Sequence, residues 1–264
     1  MENLADLHNH SEFSYDSQRS MENIVEEAVN KGIAVLGFSD HLDFNEDDPG
    51  NKYYNPEKQF KEFHRLEKKF KSQIRLVIGI ESSYERNYAD KIYSVFNAHP
   101  FEYRIMSVHF IDGVVISDWL EKIEKNEDKI ENVDYSKYFD ALEMIAEEGE
   151  FDILGHLDYY KKYSKFNHVS SEERYKKRYE LVFKTLARRK KIIEINTSGL
   201  RHRCREQFPS KRLLEMYKNI GGKMVSTGSD SHNIGDTGFE FKKIYELADN
   251  VGLKVYKADG RIYD

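Results

Sequence analysis

A chain of 264 residues is long enough for one large domain, and its 41 Lys and Arg against 47 Asp and Glu give a formal charge of -6. That mildly acidic balance argues against a broad electrostatic footprint for nucleic acid or an anionic membrane, although local cations or metals can still draw a small anionic substrate into one cleft. The single cysteine, Cys204, excludes an internal disulfide and thiolate zinc sites of CxxC spacing; with no leader-like start and no bilayer-length apolar run, the expectation is a cytoplasmic protein.

The elements alternate from the first residues onward. A strand is predicted at 4–8, then a helix whose stripe is Met21, Ile24, Val25, Ala28 and Val29, with Ser20 to cap it and Gly32 to end it. Strands follow at 35–39 and 76–80, separated by a helix over 57–71, and a further strand at 103–108. A helix over 137–148 leads to a strand at 153–155. Tyr175, Tyr179, Val182, Phe183 and Leu186 form the next helical stripe, opened by a capping box of Ser170 with Glu173. Strands at 192–196 and 223–227 alternate with helices over 210–219 and 241–250. Short apolar strands between amphipathic helices favour a parallel α/β architecture in one domain. A closed or nearly closed barrel of about seven units explains the polar residues best.

Those residues sit at strand ends: His8 and His10, Asp40 and His41, Glu81, His109, His156, then Asp230 and His232. In an α/β barrel the C-terminal strand ends converge on one mouth, so residues far apart in sequence meet there. Period-two alternation also points His8 with His10, and Asp230 with His232, to the same side. A lone histidine at a strand end is ordinarily a hydrogen-bonded core or surface residue. Six of the ten histidines at such ends, together with Glu81 and Asp230, are hard to obtain from packing, which excludes ionisable groups unless they are paired or metal-bound. Imidazole with carboxylate suits zinc, manganese or iron. His64, His99 and His168 read as structural or solvated, and His202 stays open.

The motifs DLHNH, FSDH at 38–41, GIES with Glu81, SVH ending at His109, GHLD at 155–158 and GSDSH at 228–232 resemble, in order, those of the polymerase and histidinol phosphatase (PHP) superfamily. Length and INTSGLR at 195–201 most resemble its monofunctional histidinol-phosphatase branch. The resemblance implies a distorted seven-stranded TIM-like (β/α) barrel over residues 1–264 that holds three divalent ions. It gives His8, His10, Glu81 and Asp230 to the first ion; Glu81, His109 and His156 to the second; and Asp16, His41 and His232 to the third. The implied activity is hydrolysis of a small phosphomonoester, L-histidinol phosphate, by a metal-activated hydroxide.

Within that frame Arg201 is a candidate phosphate clamp, since guanidinium grips two phosphate oxygens, and Lys162 is a second, acting as a point charge. Asp40 is expected to orient an imidazole or a water from behind the ligands. Asp43 or Asp158 is a candidate partner for a substrate ammonium. Lys161, Lys162 and Lys165, like the run 188–191, otherwise read as solvated faces. Three alternatives remain: a related phosphoesterase acting on phosphotyrosine, a sugar phosphate or a nucleotide; a cyclic-amide hydrolase, disfavoured because Glu81 stands where a bridging lysine would mark one; and a non-catalytic scaffold, disfavoured by nine competent ligands.

Overall fold

The computed structural model describes residues 4–166 and 168–258. In chain order the strands are β1 (Leu4–Asp6), β2 (Ile33–Phe38), β3 (Arg75–Ser83), β4 (Tyr103–Ser107), β5 (Phe110–Ile111), β6 (Val114–Val115), β7 (Ile153–Leu154), β8 (Ile192–Asn196), β9 (Met224–Gly228) and β10 (Lys254–Val255). The helices are α1 (Met21–Asn30), α2 (Pro56–Phe70), α3 (Ala89–Ala98), α4 (Ile116–Glu124), α5 (Ser136–Glu148), α6 (Val169–Arg174), α7 (Lys176–Arg189), α8 (Ser198–Arg201), α9 (Lys211–Ile220) and α10 (Phe241–Val251). Among the described residues no helix is long and apolar enough to cross a membrane.

Eight strands form one parallel sheet in the order β1-β2-β3-β4-β7-β8-β9-β10. The sheet curls until the chain after β1 meets the end of β9: Leu7 N donates to Thr227 O at 2.9 Å, and His10 N to Ser231 O at 3.0 Å. The first half of β9 instead pairs with β10, Met224 with Lys254 and Val225 with Val255. This divided partnership distorts the TIM-like barrel. All seven expected strands are present. The eighth, β10, is two residues long, too short to show any alternation in sequence.

Period two sorts the strand residues. Val77 faces the barrel interior with Ala5, Leu7, Val35, Tyr103, Ile105, Ile153 and Ile192, whereas Leu76 and Ile78 pack outward against Phe63, Leu66 and Phe70 of α2. Each such buried side chain contributes roughly 1.5–3 kcal/mol. Tyr103 fills the interior, its hydroxyl donating to Leu7 O at 2.7 Å. Neighbouring strands make room for it: a Cβ on Gly37 would lie 2.1 Å from the Tyr103 hydroxyl, and one on Gly79 2.4 Å from its ring. The same parity that turns Val77 and Gly79 inward carries Glu81 to the interior, two inward positions beyond Val77.

Two local expectations change. The helix expected to open at Ser170 begins at Val169, so Ser170 is not its N-cap; Tyr175 then separates α6 from α7. The Ser170 side chain lies outside those described. The β5–β6 hairpin was not anticipated, although Asp112 and Gly113 turn with φ of 53° and 76°, the conformation an Asp-Gly pair favours.

Candidate metal centre

Glu81 stands on β3, fully buried, and five imidazoles gather around its carboxylate. Oε2 lies 3.2 Å from His8 Nε2, 3.6 Å from His10 Nε2 and 3.2 Å from His41 Nδ1. Oε1 lies 3.3 Å from His109 Nε2 and 3.1 Å from His156 Nε2. Asp230 Oδ1 faces His10 Nε2 at 3.4 Å and His232 Nδ1 at 3.4 Å. Asp16, a third exposed at the rim, points Oδ2 at His232 Nε2 (3.2 Å) and His41 Nε2 (3.6 Å). All nine expected ligands therefore meet at one mouth.

The reason for one juxtaposition differs from the expected one. β9 ends at Gly228, and Asp230 has φ of 52°, so Asp230 and His232 are brought together by a left-handed turn rather than by strand alternation. Aspartate tolerates that conformation better than most residues, and such backbone collects at functional sites.

Whether this set suits metal ions is tested by its unsatisfied atoms. His8 Nε2, His10 Nε2, His41 Nδ1, Glu81 Oε2 and Asp230 Oδ2 are buried without a hydrogen-bond partner. Ligand atoms come within 4.8 Å of one another in four groups: His8, His10 and Asp230; His8, Glu81 and His156; His41, Glu81 and His109; and His10, His41 and His232. Buried polar atoms are rarely left unpaired, so lone pairs converging in this way fit several divalent cations.

The residues behind them were largely unforeseen. Glu194 on β8 meets His8 Nδ1 at 2.7 Å. Ser107 donates to Glu81 Oε1 at 2.6 Å, and Asp43 meets His109 Nδ1 at 3.3 Å. A carboxylate in the middle of the apolar strand IIEIN was the available signal for Glu194. Asp40 does not line the cleft. It accepts from Ser14 Oγ at 2.8 Å, and Ser14 in turn meets His10 Nδ1 at 3.1 Å. It therefore touches the cluster only through Ser14.

The charges follow from this crowding. Burial pushes Glu81 upward, but the imidazoles of His8 and His109 outweigh it and hold the carboxyl well below its usual range. Asp230 is likewise held low by His10 and His8 against its burial. His109, although buried, is raised to about 10 by Glu81 and Asp43. The cluster of acids thus demands positive charge.

Above the cluster lies a cleft of about 430 Å³ walled by Tyr159, Lys162, Tyr163, Arg201, His202 and Asp236. Lys162 Nζ donates to the Tyr159 hydroxyl at 2.7 Å. Arg201 spends Nη2 on Ser229 O (2.7 Å) and Asp230 O (3.1 Å) and Nε on Asp236 (3.2 Å), leaving Nη1 unpartnered. The guanidinium is therefore not an open fork, and Nη1 itself is shielded from solvent. His202, left open by the sequence, lines the cleft, and partial burial with Lys162 and Arg201 nearby lowers it to about 4.

Several expectations are corrected. Asp158 does not reach the mouth: it is buried and paired with Lys161 at 2.7 Å. Asp43 is committed to Ser83 N at 2.7 Å and to His109. Neither is free for a substrate ammonium. Lys161 is not a solvated residue but 3% exposed, ringed by Asp158, Glu172 and Glu206. His64 is exposed beside Glu67, and His168 is buried against Ser171; neither lines the cleft.

The PHP domain family matches residues 6–198. A histidinol-phosphatase from Lactococcus lactis subsp. lactis is 30% identical over 96% of this chain and 96% of its own length. Among solved structures, histidinol phosphate phosphatase from Lactococcus lactis in complex with zinc, L-histidinol and phosphate aligns with a TM-score of 0.82 at 27% identity, over 96% of this chain and 95% of that one. A Listeria monocytogenes structure at 19% identity and a TM-score of 0.77, covering 90% of this chain and 99% of that one, shares the fold. The chain belongs to the PHP family, in its histidinol-phosphatase branch.

Proposed function

We propose that this chain is a metal-dependent phosphomonoesterase that hydrolyses L-histidinol phosphate to L-histidinol and phosphate. The carrying observation is the convergence of buried, unpartnered nitrogen and oxygen atoms on Glu81 beneath a cleft that also holds two cations. The relatives named above add the substrate. The whole chain, residues 1–264, is read as one such domain, and three ions are assigned. His8, His10, Glu81 and Asp230 would hold the first, Glu81 with His109 and His156 the second, and Asp16, His41 and His232 the third; zinc, manganese and iron all suit these donors.

Divalent ions held by these residues would supply an acidified water and positive charge against the phosphoryl oxygens. This chain's residues do the remaining work. Lys162 and Arg201, which both line the cleft, would hold phosphoryl oxygens with charge-assisted hydrogen bonds. Ser107 and the imidazoles fix Glu81 so that its two oxygens face opposite groups of ligands. Asp40, through Ser14, and Asp43 orient His10 and His109. Tyr159, stacked on His156 at 4.1 Å, closes one wall against bulk water. A free small molecule in the cytoplasm, without nucleic acid, is supported by the charge of -6 and the lone cysteine.

The test is phosphate release by zinc- or manganese-loaded protein from L-histidinol phosphate, beside phosphotyrosine, sugar phosphates and nucleotides. L-histidinol phosphate should be the preferred substrate, and a chelator should abolish release. Strong cleavage of another monoester with none of L-histidinol phosphate would overturn the substrate assignment.

A further inference from the structure

Glu194 is buried, 1% exposed, within the otherwise apolar strand β8. No ligand group includes it, yet three donors end on its carboxylate. Oε1 lies 2.7 Å from His8 Nδ1; Oε2 accepts from His156 N at 3.0 Å and from Asn196 Nδ2 at 3.0 Å. A carboxylate only accepts, so His8 Nδ1 carries the proton and Nε2 carries the lone pair. That lone pair is the one aimed at Glu81, 3.2 Å away, and at Asp230, 3.9 Å away. The backbone bond to His156 ties the same carboxylate to a ligand on the opposite side of Glu81.

Space is reserved for this arrangement. A Cβ on Gly228 would lie 2.0 Å from Glu194 Oε1 and 2.4 Å from His8 Cβ, so the glycine of GSDSH leaves the gap in which carboxylate and imidazole meet. Two other imidazoles have neutral acceptors at Nδ1 instead. His10 Nδ1 meets the hydroxyl of Ser14, and His232 Nδ1 meets the carbonyl of Asp230 at 3.1 Å. His109 Nδ1 also meets a carboxylate, that of Asp43, but at 3.3 Å against 2.7 Å between Glu194 and His8.

We infer that Glu194 is a positioning residue: it fixes the tautomer of His8 and, through the amide of His156, sets the spacing of the ligands on either side of Glu81. The inference rests on the reading of this cluster as a metal centre. Glutamine keeps the shape but brings two N–H donors. Turned toward His8, its amide nitrogen forces the proton onto Nε2 and removes that ligand; turned the other way, it opposes the N–H groups of His156 and Asn196. Partners behind a metal-bound histidine are generally worth 10–100-fold in metal affinity.

The experiment compares wild type, E194Q and E194D by zinc content after equilibrium dialysis against a graded chelator, with circular dichroism reporting the fold. E194Q should remain folded and bind zinc about 10–100-fold more weakly, with E194D between the two. Folded E194Q with wild-type zinc affinity and content overturns the inference. Because E194Q could fail to fold, the tautomer is also read in wild type by 15N correlation spectra of histidine-labelled, zinc-loaded protein, with His8 assigned through H8N. A proton on Nδ1 with Nε2 unprotonated supports the role, and the reverse overturns it. Wild type that takes up no zinc at all contradicts the metal-centre reading itself, and this role with it.

Discussion

Adding one methyl group at Gly228 should damage both stability and metal uptake, and the structure sets the scale. The new Cβ would stand 2.0 Å from Glu194 Oε1 and 2.4 Å from His8 Cβ, whereas real Cβ atoms essentially never come within 3.0 Å of such neighbours. The overlap is therefore about 1 Å on one side and rather less on the other. His8 cannot swing clear, because the clashing atom is its own Cβ, one bond from the backbone, and both side chains are buried. Overpacking of this kind costs about 1–3 kcal/mol. For a chain of this size each kcal/mol lowers Tm by roughly 2–4 °C, so G228A should melt about 2–12 °C below wild type. Ligand distances must hold within about 0.2 Å, so the same displacement should reduce bound zinc. Scanning fluorimetry and elemental analysis after dialysis measure the two effects. A variant that melts within about 1 °C of wild type and keeps its full zinc would refute the reasoning about this gap.

Other expectations follow from the same contacts. E81Q should stay folded while losing bound ions and more than about 100-fold in kcat/KM, since its carboxylate touches five imidazoles; elemental analysis and phosphate release check both. K162A should lower kcat/KM by about 10- to 150-fold, the worth of one hydrogen bond to a charged group, at unchanged metal content. R201A should lower both, because its guanidinium also holds the carbonyls of Ser229 and Asp230. His168 supplies a pH prediction. Burial, then Lys161, lowers it to about 3 from an ordinary 6.5, so between those values protons bind the unfolded chain and not the folded one. Its contribution is complete above pH 6.5 and declines on acidification, by about 2 kcal/mol at pH 5. Urea titrations from pH 7 to 5 should show a shallower loss for H168Q than for wild type; equal slopes would contradict the assignment.

The barrel was legible because its strands are apolar runs with turn residues between them, and because α1 carries its cap in sequence, Ser20, which accepts from Asn23 N; the caps Asn55 and Ser210 were not read. The candidate ligands were legible because six histidines fall at strand ends together with Glu81 and Asp230, while Asp16 was read only from the family resemblance. What sits behind them was not. The partners of Glu194, Ser107 and Asp43 emerge once the curl of the sheet brings β8, β4 and the loop after β2 beside His8, Glu81 and His109. Lys161 and Lys162 are adjacent and alike in sequence, yet one is buried among three acids and the other faces the cleft. The short helix at Tyr159–Lys162 decides between them, and no periodicity announces it. The fork expected of Arg201 failed for a similar reason, since its partners are backbone carbonyls twenty-eight and twenty-nine residues away.

The most direct test of the central claim is anomalous scattering at the zinc edge from crystals of the zinc-loaded protein. Three peaks are expected around Glu81, each about 2.0–2.2 Å from its nitrogen and oxygen ligands, with His8 Nε2, His156, Asp230 and Asp16 among them. A cleft without an ordered zinc, or zinc held only by residues outside the nine, would contradict it.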